Sequence, residues 1–242
     1  MTTRARLRVV GSAAALALAA CQPAPPHPFG NDPVPEPALF APEATATGER
    51  EYAITFGPDG TEAYFTRGGG GRGAAPPRIF ATRFVAGAWT EAEPASFTEY
   101  RDETPSLSPD GSELYYSARR DPPWWEPGEA NNNLFFVRRA EGGSWSRPIP
   151  VAGDVNRPRL TDDDPARSEL GPLLLPSGEL LYSTTEDGEW GADLYVATRD
   201  GDEFIDPRPL RISTQGAETH PAVSRDGRWL VFQAFRQADA VG

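Results

Sequence analysis

The stretch Ser108–Ser117 reads SPDGSELYYS and joins a tight-turn tetrapeptide to a short aromatic segment. Close copies of the tetrapeptide recur as GPDG at Gly57–Gly60, LPSG at Leu175–Gly178 and SRDG at Ser224–Gly227. The copies are separated by roughly 50 to 70 residues, an interval that indicates propeller blades or solenoid units. This repeat therefore decides the fold class.

The tetrapeptide has the chemistry of a β-hairpin turn. Pro presets φ at the first central position of a type I turn, Asp bonds the local backbone at the second, and Gly takes the left-handed conformation that closes the loop. We therefore predict a structural role for the last two residues of each copy. These turn residues are Asp59, Gly60, Asp110, Gly111, Ser177, Gly178, Asp226 and Gly227.

The segments on both sides of each turn are short and apolar or alternating, as expected for a hairpin. In the first three units a third segment follows, such as NLFFVRR at Asn133–Arg139, and then a fourth such as GSWSRPIP. Four antiparallel strands make one propeller blade. We predict an all-β chain in which residues 49–242 form an incomplete ring. Its blades span about 51–98, 103–161 and 169–213, and the first hairpin of a fourth spans 218–242.

The pattern E-x-x-P-x-φ-S-P-D-G-x-x-L-Y-F, followed by a D-L-Y-V strand and a W-x-x-P strand, resembles the WD40-like (PD40) β-propeller repeat of TolB-like and other bacterial envelope proteins. The resemblance begins near Glu51 and extends to the end of the sequence. It implies the fold but no particular activity, because propellers host many unrelated activities. A six-bladed ring needs on the order of 300 residues, so we expect a longer protein; completion by a second copy is the alternative.

The first 20 residues have the organisation of a secretion signal. Arg side chains at positions 4, 6 and 8 precede the apolar run VVGSAAALALAA, which is too short for a comfortable membrane span. The run ends in Leu18-Ala19-Ala20-Cys21, which resembles the lipobox of bacterial lipoproteins. We predict a lipid anchor on Cys21, a Pro-rich tether at 21–48, and attachment to the cell envelope. Gln22 favours the outer membrane, and an ordinary signal peptide is the alternative.

Composition and missing motifs exclude several functions. The formal charge of −12 disfavours nucleic acid as a partner, because a surface of that sign repels phosphate. The sequence has no G-x-S-x-G elbow, no P-loop and too few His and Cys residues for a zinc site. Outside the tether the one His is His220, which we predict to face the channel mouth at a strand start. We therefore predict a protein without catalytic activity or a cofactor.

Four Glu residues recur near the start of each predicted inner strand. They either accept hydrogen bonds at the junctions between blades or form a ring of negative charge at the channel mouth that attracts a cation or a basic partner. These residues are Glu51, Glu103, Glu169 and Glu218.

Two predicted loops add further candidates. Asp162, Asp163 and Asp164 form either a solvated acidic loop or a Ca²⁺ loop, because Ca²⁺ prefers carboxylate oxygens. Trp124 and Trp125 lie in an insertion of the second blade, where they either stack on a sugar or peptide or pack back on the blade.

These features predict a lipid-anchored envelope propeller that binds or scaffolds a protein or another ligand. Two alternatives remain open. In the first, the chain is the propeller part of a hydrolase or peptidase whose catalytic residues lie outside it. In the second, it is a propeller that binds glycans.

Overall fold

The computed structural model describes residues 39–69, 73–99, 101–123, 131–157, 167–185, 191–212, 216–224 and 227–235. Several predicted residues lie outside this described part, and their roles stay predictions: Cys21, Trp124, Trp125, Asp162, Asp163, Asp164 and Asp226. The described residues contain a short helix, α1 (Pro42–Thr45), and otherwise strands. None of their helices has the length and apolar character required to cross a membrane.

The first blade is an antiparallel sheet with two short pieces at its outer edge. Its strands are β1 (Glu51–Phe56), β2 (Glu62–Arg67), β3 (Arg78–Val85), β4 (Ala88–Trp89) and β5 (Glu93–Pro94). Both β4 and β5 pair with β3, so the predicted fourth strand is divided. Between the two pieces Thr82 Oγ1 donates to Thr90 O at 2.7 Å and Arg83 N donates to Thr90 Oγ1 at 3.2 Å. The amide of Thr90 also donates to the carbonyl of Arg83 at 2.8 Å, so the residue between the two pieces stays bonded to β3.

The second blade has the strand order β6-β7-β8-β9, with β6 at Asp102–Leu107, β7 at Glu113–Arg119, β8 at Asn132–Arg138 and β9 at Ile149–Pro150. The first six residues of β7 are buried because a neighbouring blade covers each face of the sheet. Leu114 and Tyr116 belong to the cluster shared with the first blade, and Tyr115 belongs to the cluster shared with the third. Because successive side chains of a strand point to opposite faces, β7 contributes to both hydrophobic clusters.

The third blade includes a strand that the sequence did not predict. Its members are β10 (Ala152–Gly153), β11 (Glu169–Leu174), β12 (Leu180–Thr184), β13 (Asp193–Asp200) and β14 (Glu203–Pro209). β10 comes from the linker after the second blade and pairs in parallel with β14. A Cβ atom on Gly153 would lie 2.3 Å from the carbonyl oxygen of Phe204, so only glycine allows this close approach.

The fourth unit is a hairpin of β15 (Ala217–Val223) and β16 (Leu230–Phe235). The predicted fold class is therefore confirmed: the chain is an all-β, incomplete propeller with three blades of antiparallel strands and the first hairpin of a fourth. The divided fourth strand of the first blade and the parallel strand β10 of the third are additions to the four-stranded pattern. The inner strands β1, β6, β11 and β15 follow one another around the axis.

An ion pair holds each of the first two junctions between blades, and a hydrogen bond between two aromatic side chains adds to the first. At the first junction Arg139 Nη2 lies 2.5 Å from Glu62 Oε1, and Trp145 Nε1 donates to Tyr64 Oη at 3.0 Å. At the second junction Arg199 donates to both oxygens of Glu113, at 3.0 and 3.1 Å. The acid comes from the second strand of one blade and the Arg from the next blade, so consecutive blades are fixed in register.

Every inner strand carries a β-bulge at the same place. The first residue of each bulge has a left-handed backbone: φ is 53° at Ala53, 56° at Thr104, 58° at Gly171 and 51° at His220. Pro follows three of the four, at positions 105, 172 and 221. The bulge provides an alignment of the blades that does not depend on side-chain type.

Candidate functional site

The bulge alignment corrects one of the predicted equivalences. The acid that lies two residues before the bulge is Glu51 in the first blade, Glu169 in the third and Glu218 in the fourth, but it is Asp102 in the second. Glu103 was predicted to occupy this position. It lies one residue further along, and in a strand successive side chains point to opposite faces of the sheet. Glu103 therefore has different surroundings from the other three.

Three of the equivalent acids have side-chain hydrogen bonds within or just before their own blade. Asp102, Glu169 and Glu218 are buried. Asp102 Oδ2 accepts from the Glu99 amide at 2.6 Å, and Thr184 Oγ1 donates to Glu169 Oε1 at 3.4 Å. Glu51 accepts from Arg67 Nε at 3.0 Å. The partners of these acids lie in the same blade or in the segment leading into it, so the geometry favours a structural role over a ring at the channel mouth without showing bonds across a junction.

Two of these buried acids have displaced pKa values. Burial raises the pKa of Asp102 to about 6, although the Glu99 amide and the charge of Arg120 oppose the shift. The Asp102 Oδ1 atom lies 3.3 Å from Arg120 Nη1 but outside hydrogen-bond geometry. Burial raises the pKa of Glu169 to about 8, and the hydrogen bond from Thr184 opposes it. Both groups thus hold a proton more readily in the folded chain than in water.

Glu103 instead takes part in a contact between the first two inner strands. Its Oε2 atom accepts a hydrogen bond of 2.7 Å from the hydroxyl of Tyr52 on β1. The guanidinium carbon of Arg50 lies 4.8 Å from the centre of the Tyr52 ring, within the range of a cation–π contact. Burial and the charge of Glu103 raise the pKa of Tyr52, so the phenol remains a hydrogen-bond donor.

His220 approaches the same group of residues from the fourth inner strand. It is partly exposed, but the protein around its ring lowers its pKa below the usual 6.5 by desolvation. The charge of Arg50 lowers it further, and the charge of Glu103 opposes the shift. The bulge residue of the intervening blade is Gly171, and a Cβ atom there would lie 3.2 Å from the Cα atom of His220. The glycine leaves space beside His220.

A polar cavity of about 290 Å³ lies where the inner strands begin. We call it the inner-strand pocket, and its lining comes from three blades: Pro77 of the first, Arg101, Glu103, Arg119, Asn131 and Asn132 of the second, and Ser168 of the third. The amide of Arg119 donates to the carbonyl of Arg101 at 3.1 Å, which fixes the two Arg backbones beside each other. Glu103 connects the pocket to Tyr52.

Two of the larger cavities follow directly from the arrangement of the strands and turns. A groove of about 560 Å³ lies at the outer edge between the first two blades, beside Thr90 and Trp145. It follows from the short outer strands β4 and β5, which leave the edge of the sheet incompletely covered. An axial cavity of about 410 Å³ lies at the opposite end of the inner strands and is lined by turn residues such as Pro58, Pro109 and Pro176. Among their described lining residues, neither concentrates charged groups from several blades. A further cavity of about 410 Å³ does bring Glu62 of the first blade and Arg139 of the second together, but these two residues pair with each other and belong to the first junction.

The turn residues that the sequence analysis identified have the geometry of hairpin turns, as predicted. Gly60, Gly111, Gly178 and Gly227 all have φ between 70° and 87°. Asp59 accepts from the Thr61 amide, and Asp110 accepts from the Ser112 amide and the Ser108 hydroxyl, which lowers the pKa of both Asp residues. Ser177 Oγ accepts from the Glu179 amide at 3.4 Å. Within the described ranges, no group of three or more His, Cys, Asp and Glu side chains is placed to hold a metal ion.

The residues of the pocket other than Glu103 were missed in the sequence because they occupy loop ends rather than repeat positions. Asn131 directly precedes β8, Asn132 is its first residue, and Ser168 directly precedes β11. The succession of three Asn residues at 131–133 was the available signal. Its third member is the structural one, since Asn133 Nδ2 donates to the carbonyl of Arg120 at 3.0 Å.

No protein-family model and no curated protein matches the sequence. Among solved structures, the chain is similar to a TolB-type protein from Agrobacterium tumefaciens, with 18% identity over 78% of this chain and 55% of that one and a TM-score of 0.48. It is also similar to a gluconolactonase from Xanthomonas campestris, with 15% identity over 79% of this chain and 57% of that one and a TM-score of 0.48.

A third similar structure is the β-propeller domain of the trilobed protease from Pyrococcus furiosus, with 11% identity over 69% of this chain and 45% of that one and a TM-score of 0.42. The chain thus spans about half the length of these three structures. Similarities this weak give no information about the activity of this chain. The propeller assignment stands on the strand order of the sheets.

Proposed function

We propose that the chain is the propeller of a binding protein, of the WD40-like repeat type, that holds a small ligand in the inner-strand pocket and does not itself catalyse a reaction. One observation carries the proposal. Side chains from three blades converge on a polar cavity at the start of the inner strands, and one of its residues, Glu103, departs from the structural pattern of its neighbours. Sites on rigid scaffolds are typically built in this way, from strand ends and loops.

The surroundings of His220 support binding rather than acyl transfer. The hydroxyl that contacts its Nδ1 atom belongs to the adjacent Thr219, at 3.0 Å. Thr219 is buried, so that hydroxyl is not presented to a substrate. Glu103, the acid whose charge acts on His220, is engaged by Tyr52. An acyl-transfer triad requires a nucleophile hydrogen-bonded to a base and an acid hydrogen-bonded to that same base. The hydroxyl and the acid beside His220 do not form such a chain.

We also propose that the protein is exported and anchored by lipid on Cys21, with the outer membrane as its location. The support is the lipobox-like Leu18-Ala19-Ala20-Cys21 after a basic and apolar leader. Two or more acyl chains give stable membrane attachment where one chain does not. Intact-mass analysis of the membrane fraction would show a diacylglyceryl-sized increase that Cys21→Ala abolishes. An unmodified, cleaved chain in the soluble fraction would contradict the anchor.

The binding function can be tested with a panel of ligands and two matched variants. Chemical shifts of His220 and of backbone amides are recorded while amino acids, short peptides and oligosaccharides are added. We expect at least one class to shift resonances at Asn132 and Ser168, and Asn132→Ala to weaken that binding. Asn156→Ala is unsuitable as a control because Asn156 is buried. Arg208→Gln on the outer edge should bind normally. Turnover of a panel member would favour the hydrolase alternative instead.

A further inference from the structure

We propose that residues 40–47, which we call the strap, protect the first blade from docking of a second copy of this chain. The proposal is independent of the ligand-binding function. It concerns the face of the first blade that points away from the second blade, which we call the leading face. In the second and third blades the corresponding face packs on the blade before it. The leading face of the first blade is therefore shaped to receive a blade.

The leading face of the first blade is rich in aromatic residues. Tyr64 belongs to the cluster shared with the second blade, so its neighbours in β2 point to the opposite face. Cross-strand partners point to the same face, as do alternate residues of one strand. By these two rules the leading face comprises Phe56 of β1, Ala63 and Phe65 of β2, Phe80 and Phe84 of β3, and Trp89 of β4.

The strap packs on this face. The ring of Phe40 lies edge-on to the rings of Phe56 and Trp89, with centroid separations of 5.1 and 5.0 Å. Arg67 also points to the leading face, and its Nη2 atom donates to the carbonyl of Ala44 at 2.9 Å. Ala44 is buried. The strap thus occupies the place that the preceding blade occupies at the later junctions.

The fourth unit presents the complementary surface. Trp229, Val231 and Phe235 alternate along β16 and the residue before it, so they share one face, and they are 68%, 67% and 60% exposed. Leu230 and Phe232 point to the other face, where they pack against the third blade. The exposed face therefore has the orientation in which each earlier blade contacts its successor. Exposed apolar patches of this kind mark interaction surfaces.

The positions that form the ion pairs of the first two junctions identify the partner as another copy. At each of these junctions a Glu two residues after the turn glycine pairs with an Arg of the next blade. In the fourth unit that Glu position is Trp229. The Arg occupies one position of the third strand, at Arg139 and Arg199, and the aligned residue of the first blade is Phe84. An aromatic residue at both positions suits an apolar contact between the fourth unit of one copy and the first blade of another.

Contacts of this kind are head-to-tail, and they extend into filaments unless the rotation closes a ring. Terminal repeats in repeat proteins carry caps that prevent such growth. The strap is the corresponding cap of this propeller. It forms the last part of the stretch that the sequence predicts to be a Pro-rich tether at 21–48.

The test compares neighbouring substitutions at the start of the strap, in the full chain carrying Cys21→Ala so that no acyl chain contributes to association. Phe40→Ala removes the ring that packs on the leading face. Leu39→Ala is the matched control, because Leu39 is 77% exposed. Circular dichroism verifies that each variant is folded. Ala44→Asp, which places a charge under the strap, replaces Phe40→Ala if that variant does not fold.

Two measurements separate release of the strap from association of the protein. Hydrogen exchange at the Thr45 amide, which donates to the carbonyl of Ala41 at 2.9 Å, reports release. Sedimentation velocity over a series of concentrations reports association. We expect Phe40→Ala to exchange faster at Thr45 and to self-associate with a constant at least about tenfold that of wild type, and Leu39→Ala to resemble wild type in both measurements.

A second substitution identifies the docking surface. Trp229→Glu restores the acid found at the other junctions and should return Phe40→Ala to the monomer. Association that persists in the double variant would overturn the inference, because another surface would then be responsible. A Phe40→Ala protein with a released strap that stays monomeric at every concentration would also overturn it. Unchanged exchange at Thr45 would do the same, because the strap would then not depend on its contact with the leading face.

Discussion

The carboxylate of Glu113 binds guanidinium groups of two different blades. Arg138 of its own blade donates at 3.2 Å, and Arg199 of the third blade donates at 3.0 and 3.1 Å. Burial opposes ionisation of Glu113, but the hydrogen bonds from Arg199, Tyr115 and Arg138 outweigh it and lower its pKa. Glu113 is thus an ionised link between consecutive blades, at the same position that Glu62 occupies one blade earlier.

Replacing this link should destabilise the propeller. We expect Glu113→Gln to lower the free energy of unfolding by about 1–3 kcal/mol, because two half-buried Arg side chains lose a charged partner. Urea denaturation measures the change. Glu179→Gln is the matched control at the equivalent position of the third blade. Glu179 pairs with the exposed Arg208 of its own blade, so its loss should cost less than about 1 kcal/mol.

The difference in stability between wild type and Glu113→Gln should also depend on pH, and the direction of that dependence can be predicted. A carboxyl group with a lowered pKa contributes stability above its ordinary pKa and loses that contribution as the pH falls through the lowered value. The gap between wild type and Glu113→Gln should therefore be full near neutral pH and shrink below about pH 4.5. A gap that widens on acidification would contradict the ion-pair interpretation.

Glu169 should show the opposite dependence. Its pKa is raised to about 8, so the contribution of the protonated group is complete below the ordinary carboxyl pKa and declines as the pH rises towards 8. We expect Glu169→Gln to remove this decline, with wild type losing up to about 1.4 kcal/mol per pH unit relative to the variant in this window. The shift of Asp102 is common to both proteins and cancels in the difference. Parallel stability curves from pH 5 to 8 would refute the prediction.

The turn glycines provide a test of packing between neighbouring turns. A Cβ atom on Gly111 would lie 2.9 Å from Pro58 Cδ in the turn of the first blade, whereas one on Gly178 would meet nothing within 4 Å. Both positions have positive φ, so alanine should cost about 1 kcal/mol or more at either. We expect Gly111→Ala to be the more destabilising of the two in thermal unfolding. Equal losses would mean that Pro58 moves without cost.

His220 reports the electrostatics of the candidate site. The chain contains two His residues, so their NMR titrations are readily distinguished by mutation. We expect the pKa of His220 to lie below 6.5, to fall further in Glu103→Gln and to rise in Arg50→Gln. Glu103 favours the charged imidazolium and Arg50 disfavours it. Unchanged titration in both variants would show that these side chains lie too far from His220 to act on it.

The fold could be predicted because its information is local and repeated. Pro, Asp and Gly set the turns at Gly57–Gly60 and Ser108–Gly111, and the flanking segments alternate with the period of a strand. The division of the fourth strand of the first blade was not predictable, because it depends on how β4 and β5 each pair with β3 across the sheet. The parallel pairing of β10 likewise depends on a contact between Gly153 and Phe204, far apart in sequence.

The candidate site was predictable only in part. Glu103 was identified, but as one member of a ring, because the letters ETP resemble the ELGP and ETHP of later blades. Asp102 is the residue that lies as far before the Pro of its bulge as Glu169 and Glu218 lie before theirs, so Asp102 is the equivalent acid of the second blade. A backbone feature thus corrected an alignment that rested on residue type. Arg101 and Arg119 of the second blade meet Pro77 of the first and Ser168 of the third only when the blades are assembled, so no local pattern indicates the site.

The bulges of the inner strands also affect how the protein behaves towards other extended chains. The inner edge of each blade exposes a strand that could template the addition of a foreign strand and the growth of fibrils. A left-handed residue interrupts each edge, and a Pro without an N–H group follows it in the second, third and fourth blades. In the first blade Ile54 occupies that place, keeps its amide and is 44% exposed. Resistance to fibril formation should therefore be weakest along β1.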